Sequence, residues 1–241
     1  MRLLLLSPGG PQEQLAFLPA AATAASRLAT TLQVACAPAA APVWSLLPAV
    51  EKVLPFDFDG RPSLADWTNL LGAVREPDFQ ACLNRGSGWQ LDLLLSLSHI
   101  PVRVARGGWS TTSRVGPDAD PDAMLAALGL DPVPADFRLT LPAEALAAAV
   151  ERQPPGDGPL LVLTADGASL EPSLRQRLPQ VRMERLRPGS PLVQAAQLAC
   201  ADVLVSGDPW ANRLADLTGV TRVAVAPGDG PDAVLKALGL P

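Results

Sequence analysis

Short apolar runs alternate with longer alanine- and leucine-rich stretches along most of the chain. Residues 3–6 form a continuous apolar run that stops at Ser7-Pro8-Gly9-Gly10. Such runs predict strands buried on both faces. Residues 13–29 follow as a helical stretch, with Pro19 expected to kink it or to open a new first turn. Strands are then predicted over 32–36, 50–56, 79–83 and 102–105. Between them lie a short helix over 43–47, a helix over 64–74 behind the cap residue Ser63, and a helix over 89–97. Repeated strand–helix order argues for an open parallel sheet with helices on both faces.

Residues 107–141 are rich in Gly, Pro, Asp, Ser and Thr and read as a connection with one short helix over 122–128. The Ser110-Thr111-Thr112-Ser113 run reads as a flexible polar loop. A helix over 142–152 carries proline in its first turn, and Gln153-Pro154-Pro155-Gly156-Asp157-Gly158 gives the strongest linker signal. The strand–helix pattern then restarts. Strands are predicted over 160–164, 181–186 (an edge, because Arg and Glu alternate in it), 203–205 and 223–226. Helices are predicted over 191–201, 211–217 and 232–238, with Gly219 closing the second of these. The fold class is therefore α/β, in two Rossmann-like domains over 1–150 and 156–241, the second one reduced.

Composition narrows the function. The 241 residues are 48% hydrophobic and 18% charged, with a net charge of −5. The low charge is globular in character, and the acidic balance excludes nucleic acid as a bulk partner. Lys52 and Lys236 are the only lysines. Cys36, Cys82 and Cys200 are scattered, which suggests a reducing compartment and no zinc site. His99 is the one histidine and sits at a helix end, where it reads as structural. The opening apolar run of four is shorter than the about 7–15 residues of a secretory signal core.

Ligands in open α/β sheets sit beyond the carboxyl ends of the strands. Four such ends carry candidate chemistry. Gly9 and Gly10 let the backbone approach a ligand, with Gln12 and Glu13 behind them at a helix start. Glu13 reads either as a general base or as a complement to the helix dipole. Asn84 and Arg85 open a donor-rich turn that continues to Gly88. Thr164, Asp166 and Gly167 form the third end; Gly207, Asp208 and Trp210 form the fourth. Arg103 and Arg106 could meet a phosphate or be solvated. Asp57, Asp59, Asp66 and the acids over 118–122 read as turn residues. No dinucleotide glycine fingerprint or P-loop lysine is present.

With these residues in view, the chain resembles the glycosyltransferase family 9 heptosyltransferases, bacterial enzymes that move heptose from ADP-heptose to the lipopolysaccharide core. The opening strand, Gln12-Glu13 in the Gly-Asp place, and Leu18-Pro19-Ala20 are similar to the family's start. Leu47-Pro48-Ala49-Val50-Glu51-Lys52-Val53-Leu54-Pro55-Phe56-Asp57 matches a family run, as do Asp66-Trp67 and the segment from Asp78 to Asn84. Late in the chain, Ala201-Asp202-Val203-Leu204-Val205-Ser206-Gly207-Asp208 and the following residues to Val220 are similar to the family's donor-site segment.

The resemblance implies a GT-B fold, with the acceptor on the first domain and the donor on the second. It implies Glu13 as catalytic base. It implies Gly9, Gly10, Gln12, Asn84 and Arg85 on the acceptor side, and Thr164, Asp166, Gly167, Gly207, Asp208 and Arg213 on the donor side. The partners implied are a nucleotide-sugar and a glycan or lipid-linked acceptor, with no cofactor and no metal. The location implied is cytoplasmic, at the inner face of the membrane if the acceptor is a lipid. The departures are specific. Glu13 replaces an aspartate, Pro209 and Trp210 follow Asp208 in place of Thr-Gly, Arg213 replaces a histidine, and the family's donor-phosphate lysine is missing. Two readings stay open: a divergent glycosyltransferase, and a non-catalytic GT-B-like scaffold.

Overall fold

A computed structural model describes residues 2–226 and 230–237. The first compact unit ends at Phe137 and the second begins at Arg138.

In the first unit, β1 (Arg2–Leu6) lies between β2 (Thr31–Cys36) and β4 (Ala81–Asn84). With β3 (Val50–Pro55), β5 (Val102–Ala105) and β6 (Ser113–Arg114), the parallel sheet has the order β3-β2-β1-β4-β5-β6. The central run Leu3–Leu6 is wholly buried because successive side chains enter opposite cores. Leu3 and Leu5 pack with Phe17, Trp44 and Met124. Leu4 and Leu6 pack with Leu70, Val74, Leu94 and Leu95. One face is thus covered by α1 (Pro11–Arg27) and α4 (Pro121–Ala126), and the other by α2 (Leu64–Arg75) and α3 (Trp89–Leu97).

Ser63 caps α2 in a reciprocal box with Asp66. Pro19 does not break α1, which runs through it for 17 residues. Pro19 is itself buried, so tertiary packing outweighs the lost helical hydrogen bond. The Ser110–Ser113 run is held rather than loose. Thr112 exchanges backbone and side-chain hydrogen bonds with Arg103, and Ser113 begins β6.

The second unit has a four-stranded parallel sheet, β10-β9-β7-β8, from β7 (Leu160–Leu163), β8 (Arg182–Arg185), β9 (Val203–Ser206) and β10 (Thr221–Ala224). β8 is an edge, as its charge alternation predicts. A helix absent from the sequence reading, α6 (Glu171–Arg177), covers one face through Leu174. The remaining helices are α7 (Pro191–Ala199), α8 (Pro209–Thr218) and α9 (Pro231–Ala237). The expected end of the last helix at Leu238 lies outside the described residues.

The division between the units differs from the predicted one. Helix α5 (Ala143–Glu151), assigned by sequence to the first domain, packs on α7 of the second. The Pro-Gly segment behind it is an ordered turn. Arg182 donates to Gly158 O at 2.7 Å, Gln153 Oε1 at 3.2 Å and Pro154 O at 3.3 Å. Polar, turn-forming composition marks a chain reversal here, and only long-range packing distinguishes a reversal from a linker.

Candidate functional site

The order β3-β2-β1-β4-β5-β6 reverses direction between β1 and β4, and loops leaving such a pair diverge and open a crevice. The sequence places its two donor-rich turns at that point. Gly9 takes φ +96°, a left-handed-side conformation open to glycine. A Cβ on Gly9 would also lie 3.1 Å from Glu13 Cβ. The turn is pinned by the buried Gln14, whose Nε2 donates to the carbonyls of Ser7, Pro8 and Gly9 at 3.0, 3.1 and 3.2 Å. Asp59, read from sequence as a turn acid, reaches this turn: its Oδ2 accepts from Gly9 N at 3.0 Å. No local signal distinguishes it from Asp57, which accepts from Asp59 N and Gly60 N in an ordinary turn.

Glu13 stands exposed in the first turn of α1, folded against the Gly9-Gly10 backbone. Gln12 beside it is exposed. From the neighbouring strand end, buried Asn84 accepts from Gly86 N at 2.9 Å. Arg85 turns inward, donates to Ser7 Oγ at 2.7 Å and lies 4.6 Å over the Phe17 ring. Burial pushes Arg85 down to about 10, positive Arg106 pushes the same way, and negative Glu13 opposes them. It remains a cation at neutral pH, and among the described residues no ion pair includes it. A partly desolvated guanidinium with spare donors is suited to an anionic or hydroxyl-rich ligand.

Two hollows open onto Arg85. One, about 470 Å³, is lined by Pro8, Phe58, Asp59, Arg61 and Trp67 among others. The other, about 350 Å³, is lined by Asn84, Asp92, Arg106 and the backbone of Gly88 and Gly108. Asp92 is a buried carboxylate that accepts from Ser110 Oγ at 2.8 Å. It presses on Gly108, where a Cβ would lie 2.1 Å from its Oδ1. Arg103 plays no part in either hollow, because it donates to Ser110 O and Ile100 O. Thus Gly9, Gly10, Glu13, Asn84 and Arg85 share one end of one sheet. Gln12 lies there without a described side-chain partner.

In the second unit, the reversal falls between β7 and β9. Thr164 Oγ1 donates to Ser206 Oγ at 3.1 Å, and both residues are buried. A Cβ on Gly167 would lie 3.0 Å from Val205 O, and one on Gly207 would lie 2.7 Å from Val225 O, with Asp166 beside it. These glycines permit close backbone packing. Asp208 caps α8, accepting from Trp210 N at 3.0 Å, while Pro209 contributes no N–H. Trp210 Nε1 donates to Gln194 Oε1 at 2.8 Å. The backbone donors at this helix start are therefore fewer than in an open turn, and a carboxylate already occupies the positive end. Thr164, Asp166, Gly167, Gly207 and Asp208 converge. Arg213 sits more than one turn along α8, with its buried Nε unpartnered.

Both units thus set candidate chemistry at the reversal point of a parallel sheet, the arrangement of GT-B-like proteins. No protein-family model and no curated protein sequence matches the chain. Among solved structures it is similar to E. coli ADP-heptose lps heptosyltransferase II, at TM-score 0.72 and 14% identity, over 99% of this chain and 98% of that one. It is also similar to a glycosyl transferase family 9 protein from Veillonella parvula, at TM-score 0.65 and 12% identity, over 92% and 79%. E. coli heptosyltransferase WaaC with ADP-2-deoxy-2-fluoro heptose gives TM-score 0.64 and 17% identity, over 95% and 90%. The chain has a family 9 glycosyltransferase-like fold, divergent in sequence, with the smaller sheet in its second unit.

Proposed function

We propose that the protein is a heptosyltransferase-like glycosyltransferase, moving a sugar of the ADP-heptose type to a lipopolysaccharide or other glycan acceptor. The observation that carries this reading is that exposed Glu13 and half-buried Arg85 stand at the same reversal point of the first sheet, where the negative Glu13 favours the charged form of Arg85. The acceptor binds there, using Gly9, Gly10, Gln12, Asn84 and Arg85. Glu13 takes the proton of an acceptor hydroxyl as its oxygen attacks the anomeric carbon. The bond from that carbon to the donor diphosphate breaks, and the electron pair leaves with the nucleotide. Thr164, Asp166, Gly167, Gly207, Asp208 and Arg213 hold the donor on the second unit. No cofactor or metal is required, and the work is done in the cytoplasm, at the inner face of the membrane if the acceptor is a lipid.

A second reading is supported by the turn Asp208-Pro209-Trp210. Its carboxylate caps the helix that would otherwise face a diphosphate. On this reading the chain is a non-catalytic scaffold that has lost donor binding. Calorimetric titration with ADP, ADP-heptose and a panel of other nucleotide sugars decides between them. Micromolar binding of one compound is expected for a transferase, and no binding across the panel would leave the scaffold.

A further inference from the structure

Helices α2 and α3 leave an apolar trough on the outside of the first unit. Leu64, Trp67 and Leu71 of α2 form one wall, and Trp89, Leu93 and Leu97 of α3 form the other. The spacing repeats every three or four residues on both helices, so each presents a stripe. The stripes are not closed over. Leu64 is 83% exposed, Trp89 67%, and Leu93 and Leu97 43% each. These are four of the seven large hydrophobic side chains exposed among the described residues, and they share one groove. Concentration of that kind marks a binding surface, whereas scattered exposed leucines are ordinary.

Three observations define the occupant. The groove holds about 210 Å³, less than the roughly 300–1,000 Å³ of a drug-sized pocket, so the occupant is slender. The nine residues that line the groove fall short of the roughly 20–30 residues a side in a stable protein interface. The groove adjoins the 470 Å³ polar hollow, because Trp67 and Gln90 line both. That hollow carries Arg61 and the half-buried Arg85, with one carboxylate, Asp59, that is hydrogen-bonded to Gly9 N. An apolar groove beside a hollow with two guanidinium groups and one carboxylate matches an amphiphile with one hydrocarbon chain and an anionic head. We infer that the α2–α3 trough binds a single hydrocarbon chain of such an amphiphile, with its head group at Arg61 and Arg85. The inference rests on the first unit being the acceptor side, and it names a lipid-linked acceptor with an anionic linkage as the class bound there.

The test is titration of the whole chain with monomeric dodecyl phosphate, below its micelle concentration, against inorganic phosphate. Tryptophan fluorescence and calorimetry are the readouts. Dodecyl phosphate is expected to bind about tenfold or more tighter than phosphate, because several methylenes leave water. Leu93→Gln/Leu97→Gln should lose about tenfold or more of that affinity while keeping its phosphate affinity and its circular dichroism. Leu64→Gln, on the opposite wall, serves if the double variant does not fold. Val150→Gln, an exposed apolar position in the second unit, should bind as the unaltered chain does. Equal affinity for the two ligands, or groove variants that bind dodecyl phosphate normally, would overturn the inference. So would binding to phosphatidylglycerol vesicles without binding to the monomer, which makes the face a membrane contact. Self-association abolished by the groove variants would assign the face to a second copy and overturn it equally. The donor titration does not depend on this groove, so failure of the two readings is separable.

Discussion

The reversal points of the two sheets occupy equivalent places and use their polar groups differently. In the first unit, the turn after β1 is held by Gln14 and Asp59, Glu13 is exposed, and Arg85 is in no ion pair among the described residues. In the second, Thr164 pairs with Ser206, Asp208 caps α8, and Trp210 is tied to Gln194. The charges of Glu13 and Arg85 stay available in the first, whereas Thr164, Ser206, Asp208 and Trp210 are satisfied internally in the second. The difference teaches that a shared topology supplies a crevice, whereas ligand binding depends on polar groups left without an internal partner.

The largest test of this contrast is Glu13→Gln. If the first crevice does acid–base work, kcat should fall by about 10²–10⁴-fold, with little change in thermal stability for an exposed first-turn residue. An unchanged kcat in a transfer assay would remove Glu13 as the base.

Next in size is Arg85→Met. Losing charge-assisted hydrogen bonds to an anionic ligand should weaken phosphate binding by about 10–100-fold. Replacing a desolvated charge with apolar volume should leave the melting temperature unchanged or raise it by about 2–4 °C. A large fall in melting temperature would show that Arg85 is held for the fold. The pH dependence follows from the same burial. Arg85 is held down at about 10, so its charge weighs against the folded state below that pH, and the penalty is relieved as pH rises through about 10. Phosphate affinity measured by calorimetry should therefore persist at neutral pH and decline above pH 10.

The smallest effect is expected at the second crevice. Asp208→Ala removes a helix cap and should lower stability by about 1 kcal/mol in a denaturant titration. If Asp208 serves only α8, nucleotide affinity should stay level or rise, because the helix start is freed of a carboxylate. Loss of nucleotide binding would restore Asp208 to the donor site and narrow the contrast between the units.

How much was legible in the sequence differs by element. The buried strands were readable because Leu3–Leu6 and Leu160–Leu163 are continuous apolar runs between turn residues. Ser63 and Gly219 were readable as caps because capping chemistry is local. Helix α6 was missed because its sequence, Glu-Pro-Ser-Leu-Arg-Gln-Arg, buries only Leu174. The roles of Asp59, Asp92 and Arg103 were missed because Asp59 meets Gly9 across 50 residues, Asp92 meets Ser110 across 18, and Arg103 meets Ser110 across 7.

The sequence by itself determined the α/β class, the parallel strands and the turns at which chemistry could sit. These follow from side-chain periodicity and local backbone preference, which act over a few residues. Only the tertiary structure decided that α5 belongs to the second unit, that Pro19 continues a helix, and that Arg85 is partly desolvated beside Glu13. It alone brought the stripes of α2 and α3 together into one groove. Each of these depends on which distant surfaces meet, and burial, which sets the energy of a charge or an apolar stripe, exists only after they have met.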